Sequence, residues 1–456
     1  LRLNSTFYTG PAAGGAGING LTTLGTFRVA ANTTATFNSR NGFGMTLGAW
    51  TQESANNNQG IANNMGGTLT FTGDAWNNAD GSARNLTFSG NGNTSIVGSI
   101  TATGTTKQVI KQGTGELMIN GVASTFTGPT AIQAGAVRIT DFRSVNNASL
   151  AAISLGNATT TGGNLIIGGT GVGSASVAGL TTSKPITLNT TSASNSIYAN
   201  QTGTNPVILN GAITKIATAT TGALILGGTN TADNIVNVVI PVETTPSTGG
   251  VTKIGAGTWV LNAANTYAGA TTIQNGTLKL RATAAASDVI KSGTNNTIVF
   301  SANTTTGTAG GTLEFRGFSG AATTETLGAL TPTAGAATIR LLGNGGSAAN
   351  LTFTSLGATT AASSLNFDTT GASGGVITLT GQAATTATNL PGTANFLGHL
   401  YMNGADFATI NGSAQVVAPT YAGSGNFQNA AGALVAAVHN KLTGSFTNGA
   451  VTVSSL

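Results

Sequence analysis

The chain of 456 residues contains no cysteine, so neither a disulfide framework nor a thiolate metal site is available to it. Charged residues make up only 6% of the chain, against about 25% in an ordinary soluble domain. Its polar surface must therefore come from Thr, Asn, Ser, Gln and backbone groups. No apolar run of about 18 residues occurs, which argues against a membrane-spanning helix.

The scarcity of charge also excludes a class of partner. The formal net charge is +5, and the 17 Lys and Arg residues are scattered without forming a basic run. A protein that binds nucleic acid needs clustered cations to displace counterions from phosphates, usually with aromatic residues between them. Aromatic residues amount to only 5% of the chain. We therefore predict no nucleic-acid partner.

The abundant residues of this chain are small, apolar or β-branched. Glycine accounts for 67 residues, but no Gly-X-Y period accompanies it and proline accounts for only nine, so the chain is not collagen-like. Hydrophobic residues reach 40%, whereas disordered chains combine low hydrophobicity with high charge. The composition therefore favours an ordered protein made of strands.

Short alternating strands introduced by Gly or Asn recur along the chain. In each of them, alternate apolar residues predict one face turned toward a core, with Thr or Glu between them facing solvent. Clusters of Gly, Asn, Thr and Ser between the strands predict tight turns. The clearest examples are residues 67–71 (GTLTF), 85–88 (NLTF), 163–167 (GNLII), 311–315 (GTLEF) and 350–353 (NLTF).

Helical spacing is nearly absent. The best candidate covers residues 429–442, an Ala-rich segment with Leu434, Val438 and Leu442 at helical intervals. An open solenoid end presents unpaired strand edges that need covering. We therefore predict a short helical cap near the C-terminus.

The strongest signal is an internal repeat. Residues 111–139 (KQGTGELMINGVASTFTGPTAIQAGAVRI) align with residues 253–280 (KIGAGTWVLNAANTYAGATTIQNGTLKL). Each copy begins with Lys followed by two spaced Gly residues, and each predicts three successive strands separated by glycine turns. A single copy cannot bury its apolar face, whereas stacked copies bury one face continuously. The repeat therefore predicts a solenoid.

These two copies resemble the autotransporter-associated β-strand repeat of large exported bacterial proteins. Both carry its Lys, paired Gly, apolar strand, Asn, an aromatic residue followed by Gly two residues on, then Thr, Ile, Gly and a closing strand. The resemblance implies a right-handed parallel β-helix, export to the extracellular space or cell surface of a bacterium, and a role in adhesion, surface coating or fibre formation. It implies no catalytic residue, cofactor or metal.

Four segments are expected: N-terminal solenoid rungs (1–94), a first repeat module (95–233), a second repeat module (234–390) and a C-terminal segment with the cap (391–456). The leading hypothesis is a structural extracellular subunit that self-associates into a fibre or surface layer, because little charge is present to prevent edge pairing. Residues 1–4 (LRLN) and 453–456 (VSSL) suggest head-to-tail stacking. The alternative is an adhesin passenger that binds cell-surface glycans or host surfaces.

Motifs for catalysis are weak, and we predict that the chain is not an enzyme. Gly371, Ser373 and Gly375 fit the nucleophile-elbow pattern, but a chain this rich in Gly and Ser is expected to match it by chance. His399 and His439 lack neighbours at metal-ligand spacing. The run Gly169, Gly171 and Gly173 is followed by no predicted helix, which a dinucleotide site requires.

Two further patterns favour structural interpretations. Asp74 and Asp80, with Asn77 and Asn78 between them, could bind Ca²⁺ in a loop, although a solvated turn is the better interpretation. The aromatic residues could form a sugar-stacking surface, but the repeat positions of Trp259 and Tyr267 favour core packing. The aromatic residues considered are Trp50, Trp76, Trp259, Tyr267 and Tyr401.

Overall fold

A computed structural model describes most of the chain. The described residues are 5–10, 20–29, 33–39, 42–52, 58–78, 83–102, 106–146, 150–158, 160–172, 180–216, 221–242, 249–286, 288–291, 296–303, 310–357, 363–382, 400–418, 427–430 and 439–442. They fall into two compact units: unit 1 comprises Leu1–Val260 with Thr266–Gly269, and unit 2 comprises Leu261–Asn265 with Ala270–Leu456.

The strands of unit 1 are short and numerous. In chain order they are β1 (Ser5–Thr9), β2 (Leu21–Thr23), β3 (Phe27–Val29), β4 (Thr33–Ser39), β5 (Gly44–Leu47), β6 (Trp50–Gln52), β7 (Gln59–Asn64), β8 (Leu69–Phe71), β9 (Ala75–Asn78), β10 (Arg84–Ser89), β11 (Thr94–Ile96), β12 (Ile100–Ala102), β13 (Lys107–Lys111), β14 (Glu116–Ile119), β15 (Thr130–Ile132), β16 (Ala136–Ile139), β17 (Ile153–Leu155), β18 (Asn164–Ile167), β19 (Thr181–Thr182), β20 (Ile186–Leu188), β21 (Asn195–Ala199), β22 (Ile208–Leu209), β23 (Ile213–Lys215), β24 (Leu224–Gly228), β25 (Asn234–Val236), β26 (Val251–Lys253) and β27 (Thr258–Leu261).

Unit 1 is a parallel β-solenoid with three faces. The first face stacks β1, β4, β7, β10, β13, β15, β17, β20 and β23, and the second stacks β2, β5, β8, β11, β14, β16, β18, β21, β24 and β26. The third face consists of β3, β6, β9 and β12, and further along the chain of β19, β22 and β25. On the first and second faces each strand pairs with its counterpart one turn later, whereas the third face has no strand among the described residues between β12 and β19.

Unit 2 is built on the same plan. Its strands are β28 (Thr271–Ile273), β29 (Thr277–Arg281), β30 (Ile298–Phe300), β31 (Gly310–Arg316), β32 (Thr323–Leu327), β33 (Leu330–Pro332), β34 (Gly335–Leu342), β35 (Ala349–Phe353), β36 (Ser363–Gly371), β37 (Ile377–Leu379), β38 (Leu400–Met402), β39 (Asp406–Phe407), β40 (Thr409–Ile410), β41 (Val416–Val417), β42 (Phe427–Ala430) and β43 (His439–Leu442). Three parallel stacks form: β28-β30-β33, β29-β31-β34-β36-β38 and β32-β35-β37. Two antiparallel pairs, β38–β39 and β40–β41, lie toward its C-terminal part.

The predicted parallel β-solenoid is confirmed, and so are the strands of the repeat. The first copy forms β14, β15 and β16, and the second forms β27, β28 and β29. The apolar members of the predicted alternating strands point inward. Leu69, Phe71, Leu86, Phe88, Leu313, Phe315, Leu351 and Phe353 are all at most 1% exposed.

One alternating residue departs from the prediction. Glu314 lies between the inward Leu313 and Phe315 and was expected to face solvent, yet it is only 5% exposed. It does point away from the core. Two long cationic side chains from the neighbouring strands, Lys279 and Arg340, cover it.

The predicted helix over residues 429–442 is wrong at both of its ends. Asn429 lies in β42 and His439 lies in β43, and these two strands pair in parallel. No α-helix occurs among the described residues, and a short 3₁₀ helix spans Phe142–Ser144. At these two ends the pairing of strands therefore overrode local helix propensity, and residues 431–438 lie outside the described residues. No described helix has the length and apolar character needed to cross a membrane.

A column of glycines lies at the corner between the first and second faces of unit 1. A Cβ on Gly113 would lie 2.3 Å from the carbonyl oxygen of Gly90, and one on Gly115 would lie 2.1 Å from that of Gly92. One turn later, a Cβ on Gly135 would lie 2.5 Å from the oxygen of Gly113. The glycines of the repeat are therefore required because successive turns stack backbone on backbone.

Replacing one of these stacked glycines is expected to destabilise the chain. G115A should lower the free energy of unfolding by about 1–3 kcal/mol, because the added methyl group forces neighbouring turns apart. The matched control is G25A, since no described atom lies within 4 Å of a Cβ there. Thermal denaturation followed by circular dichroism measures both, and equal midpoints for the two variants would contradict the stacking argument.

Candidate functional site

The lysine that opens each repeat binds the carbonyl groups of its own turn. Lys253 ends β26, and its Nζ donates to the carbonyl oxygens of Ile254 at 2.8 Å and Gly255 at 2.6 Å. In the first copy, Nζ of Lys111 donates to the two corresponding carbonyl oxygens at 2.5 and 2.8 Å. Both lysine side chains are buried. The repeat lysine thus satisfies polar backbone groups inside a corner and is not exposed to a ligand.

Burial changes the acidity of these lysines. It lowers the pKa of Lys253 from its ordinary 10.5 to about 7, and that of Lys111 to about 8. Desolvation is the cause, because it disfavours the charged ammonium form. A third lysine, Lys184, donates from Nζ to the carbonyl oxygen of Asn146, and burial lowers its pKa to about 8.

The stability of the chain should therefore rise with pH above neutrality. Between pH 7 and 10.5 the unfolded chain keeps a proton on Lys253 that the folded chain loses, so the free energy of unfolding rises with pH and the slope approaches that of one proton. We expect K253M to reduce this slope by one proton. Denaturant unfolding at pH 7, 8 and 9 measures it.

The matched control is K291M, because Lys291 is exposed and its removal should leave the slope of the wild type. A K253M variant with the wild-type slope would contradict the deprotonation of Lys253 in the folded state.

Charged side chains on the outer surface neutralise one another. In unit 2, Lys279, Glu314, Arg340 and Asp368 occupy register positions on the successive strands β29, β31, β34 and β36. Glu314 oxygens lie 3.5 Å from Lys279 Nζ and 3.7 Å from Arg340 Nη1, and Arg340 Nε lies 2.9 Å from Asp368 Oδ2. We call these four residues the charged row.

The electrostatics of Asp368 follow from this row. Partial burial raises the pKa of its carboxyl group, but hydrogen bonds from Thr370 and Arg340 outweigh that effect, and the pKa lies below its ordinary value.

In unit 1, Arg138 binds Glu116 with two hydrogen bonds, of 2.6 and 3.0 Å. The alternating signs show only when the strand register is known, so the sequence alone did not reveal the row.

The nucleophile-elbow match lies in a turn between two strands. Gly371 ends β36, Ser373 adopts a φ of 53°, and the chain continues into β37 rather than into a helix. Of the two histidines, His399 lies outside the described residues, and His439 lies in β43, where side chains are not described. The described residues thus bring no histidine to Ser373.

The loop glycines and the acidic pair are placed only in part. Gly169 and Gly171 follow β18, in a loop whose Gly168 carbonyl accepts a 3.0 Å bond from Arg138, and Gly173 lies outside the described residues. Oδ1 of Asp74 accepts a 2.8 Å bond from the backbone N–H of Ser99, one turn later. Asp80 also lies outside the described residues, so calcium binding there stays a hypothesis. Among the described residues no group of three His, Cys, Asp or Glu side chains could hold a metal ion.

The three tryptophans and Tyr267 pack inside, as the repeat positions of Trp259 and Tyr267 predicted. Trp50, Trp76, Trp259 and Tyr267 are 0% exposed, whereas Tyr401 is 37% exposed. Trp76 has a φ of 58° where the pairing of β9 with β12 shifts register, so a β-bulge turns its side chain inward. The indole N–H of Trp259 donates to the carbonyl of Gly227 at 2.8 Å. A tryptophan surface for stacking sugars is therefore absent from the described part of the chain.

Comparison with known proteins agrees with the repeat. Residues 109–139 and 251–280 match the family described as passenger-associated-transport-repeat. A stretch of 227 residues, 48% of this chain, is 31% identical to the adhesin BmaC autotransporter of Brucella suis biovar 1 (strain 1330). The match spans only 6% of that relative's length. No solved structure matches the chain significantly.

The resemblance to autotransporter-associated repeat proteins is thus confirmed. The comparison favours the adhesin alternative of the sequence analysis. It gives no support to self-association into a fibre or surface layer.

Proposed function

We propose that this chain, which carries two passenger-associated-transport repeats and is homologous to an autotransporter adhesin, is a segment of an exported bacterial adhesin passenger. The observation that carries the proposal is the 31% identity to that adhesin over 227 residues. The segment would lie at the cell surface or outside the cell, and it would present the outer faces of its solenoid to host or other cell surfaces. We assign it no catalytic activity.

The outer surface supports this role. Outward positions of the strands carry uncharged polar residues in register, such as Thr187 and Thr214, whose hydroxyl groups lie 3.2 Å apart. Asn210 and Asn237 form a similar exposed pair at 2.8 Å. Because the inward residues of the described strands are buried in the core, the lateral surfaces and the turns are the described parts that a partner would contact.

Adhesion can be tested with the purified chain. Beads coated with the chain should bind cultured epithelial cells or surfaces coated with extracellular matrix about tenfold more than beads coated with albumin, as expected when many weak sites act together. Soluble chain should compete with the beads. Binding no greater than that of albumin beads on every surface would contradict the proposal.

The same preparation distinguishes adhesion from fibre formation. Sedimentation velocity at increasing concentration should give a single species of the monomer mass, 44.7 kDa. Growth into large ordered assemblies would instead favour the self-associating structural subunit and would contradict the choice made here.

A further inference from the structure

A cavity of about 270 Å³ opens on the surface of unit 1. It lies between two stacked turns at the corner between the first and second faces. One turn, residues 64–68, joins β7 to β8, and the other, residues 91–93, belongs to the connection from β10 to β11. Its volume lies just below the 300–1,000 Å³ that is typical of small-molecule sites, so it accommodates a ligand about as large as one sugar ring.

Glycines occur in both turns that line the cavity, because the stacked backbone leaves no room for a Cβ at these positions. A Cβ on Gly67 would lie 2.6 Å from the carbonyl oxygen of Gly42, and a Cβ on Gly92 would lie 2.6 Å from that of Met65. Side chains at these positions are sterically excluded. Backbone groups therefore line the bottom of the cavity, and longer side chains stand only at its rim.

A buried asparagine holds the two turns together. The side chain of Asn63 is 0% exposed; its Nδ2 donates to the carbonyl of Asn93 at 2.7 Å, and its Oδ1 accepts from the backbone N–H of Met65 at 2.9 Å. The backbone N–H of Gly92 in turn donates to the carbonyl of Asn63 at 2.8 Å. Asn63 is thus a positioning residue that keeps the walls of the cavity in place before any ligand arrives.

The rim offers neutral hydrogen-bonding groups. Asn64, Asn91 and Asn93 are exposed, and Thr68 is half-buried. Within the described part of the chain, no hydrogen bond occupies the side-chain amides of Asn64 and Asn91. Oδ1 of Asn93 accepts from the backbone N–H of Glu116 at 2.9 Å, and its NH₂ group remains as a donor. Each free side-chain amide supplies two N–H donors and one carbonyl acceptor.

We propose that this cavity binds a single neutral sugar unit of a cell-surface glycan, with the amides of Asn64 and Asn91 bonding its hydroxyl groups. The proposal rests on the proposed function and names the ligand class of the adhesin.

The described lining favours a neutral ligand over the other common ligand classes. Among the described residues it contains no ionisable side chain that could pair with a sulfated or carboxylated sugar. The nearby Glu116 is paired with Arg138. The described residues of the rim include no aromatic ring, so an apolar ligand finds no stacking surface among them and each site binds weakly. Weak single sites suit an adhesin that is displayed in many copies, because avidity multiplies them.

Saturation-transfer NMR on the full chain tests the proposal. The probes are methyl glycosides of glucose, galactose, mannose and N-acetylglucosamine, with glucuronic acid as the charged comparison. At least one neutral probe should receive saturation from the wild type. N64A/N91A should reduce that signal by about fivefold or more, the loss expected when hydrogen bonds to a ligand are removed. Glucuronic acid should give the weaker signal.

The matched control is T202A/T204A, because Thr202 and Thr204 are also exposed in unit 1 but lie outside the cavity. It should keep the wild-type signal, and thermal denaturation should show that both variants are folded. No saturation transfer to any neutral probe, or a signal unchanged in N64A/N91A, would overturn the proposal.

The two proposals fail differently. If the beads adhere to cells but the sugars do not bind, the sugar site is wrong and the adhesin assignment stands. If the neutral sugars bind in the cavity but the beads do not adhere, the site stands and the adhesin assignment is wrong.

Discussion

Every part of this structure depends on the in-register stacking of one turn on the next. Backbone hydrogen bonds join each parallel strand to its counterpart in the next turn, and the two strands lie about 4.8 Å apart. A residue in one turn therefore lies directly over its partner in the previous turn. Pairs one turn apart include Leu117 with Val137, and Ile153 with Ile186. The turns therefore differ in length while the strands keep their register, because the loops absorb the extra residues.

Stacking imposes a like-on-like order on each column. Inward columns hold apolar residues, and the corner column holds glycine, since Gly115 leaves no room for a Cβ above Gly92. The repeat lysine is also required by the close packing of the corner. Its amino group fills the corner where Lys253 donates to the carbonyls of its own turn. The repeat motif is thus a requirement of the corners, and it leaves the lateral surfaces free to vary for binding.

Much of the fold could be predicted because alternation of apolar residues and spacing of glycines are local signals. The inward positions of Leu313 and Phe315 and the strands of both repeats follow from them. The burial of Glu314 could not be predicted from local signals, because the side chains that cover it, Lys279 and Arg340, lie on other strands. The helix expected over residues 429–442 is wrong at its two described ends for a related reason: the spacing of residues along one segment carries no information about the strand that pairs with it.

The candidate sugar site was not visible in the sequence at all. Asn64 and Asn91 lie in separate turns, and only the register of β7 with β10 brings them to the same cavity. The motifs that sequence reasoning did single out, such as the Gly371, Ser373 and Gly375 pattern, arise from composition rather than from geometry. In a chain with few charged residues, amides and backbone groups form the polar contacts, and they make no recognisable sequence motif.

The division of the chain into four segments (1–94, 95–233, 234–390 and 391–456), expected from the repeats, stays a prediction.

The register itself is open to direct test by cysteine cross-linking, since the chain has no cysteine of its own. Thr187 and Thr214 face outward in register on β20 and β23, at a separation that suits a disulfide. In the mismatched pair Thr187 and Ile216, the Cα atoms lie about 8 Å apart, too far for a bond. Under mild oxidation T187C/T214C should lose both free thiols, while T187C/I216C should keep them. Equal oxidation of the two variants, or failure of the matched pair to cross-link, would contradict the stacked register on which the account rests.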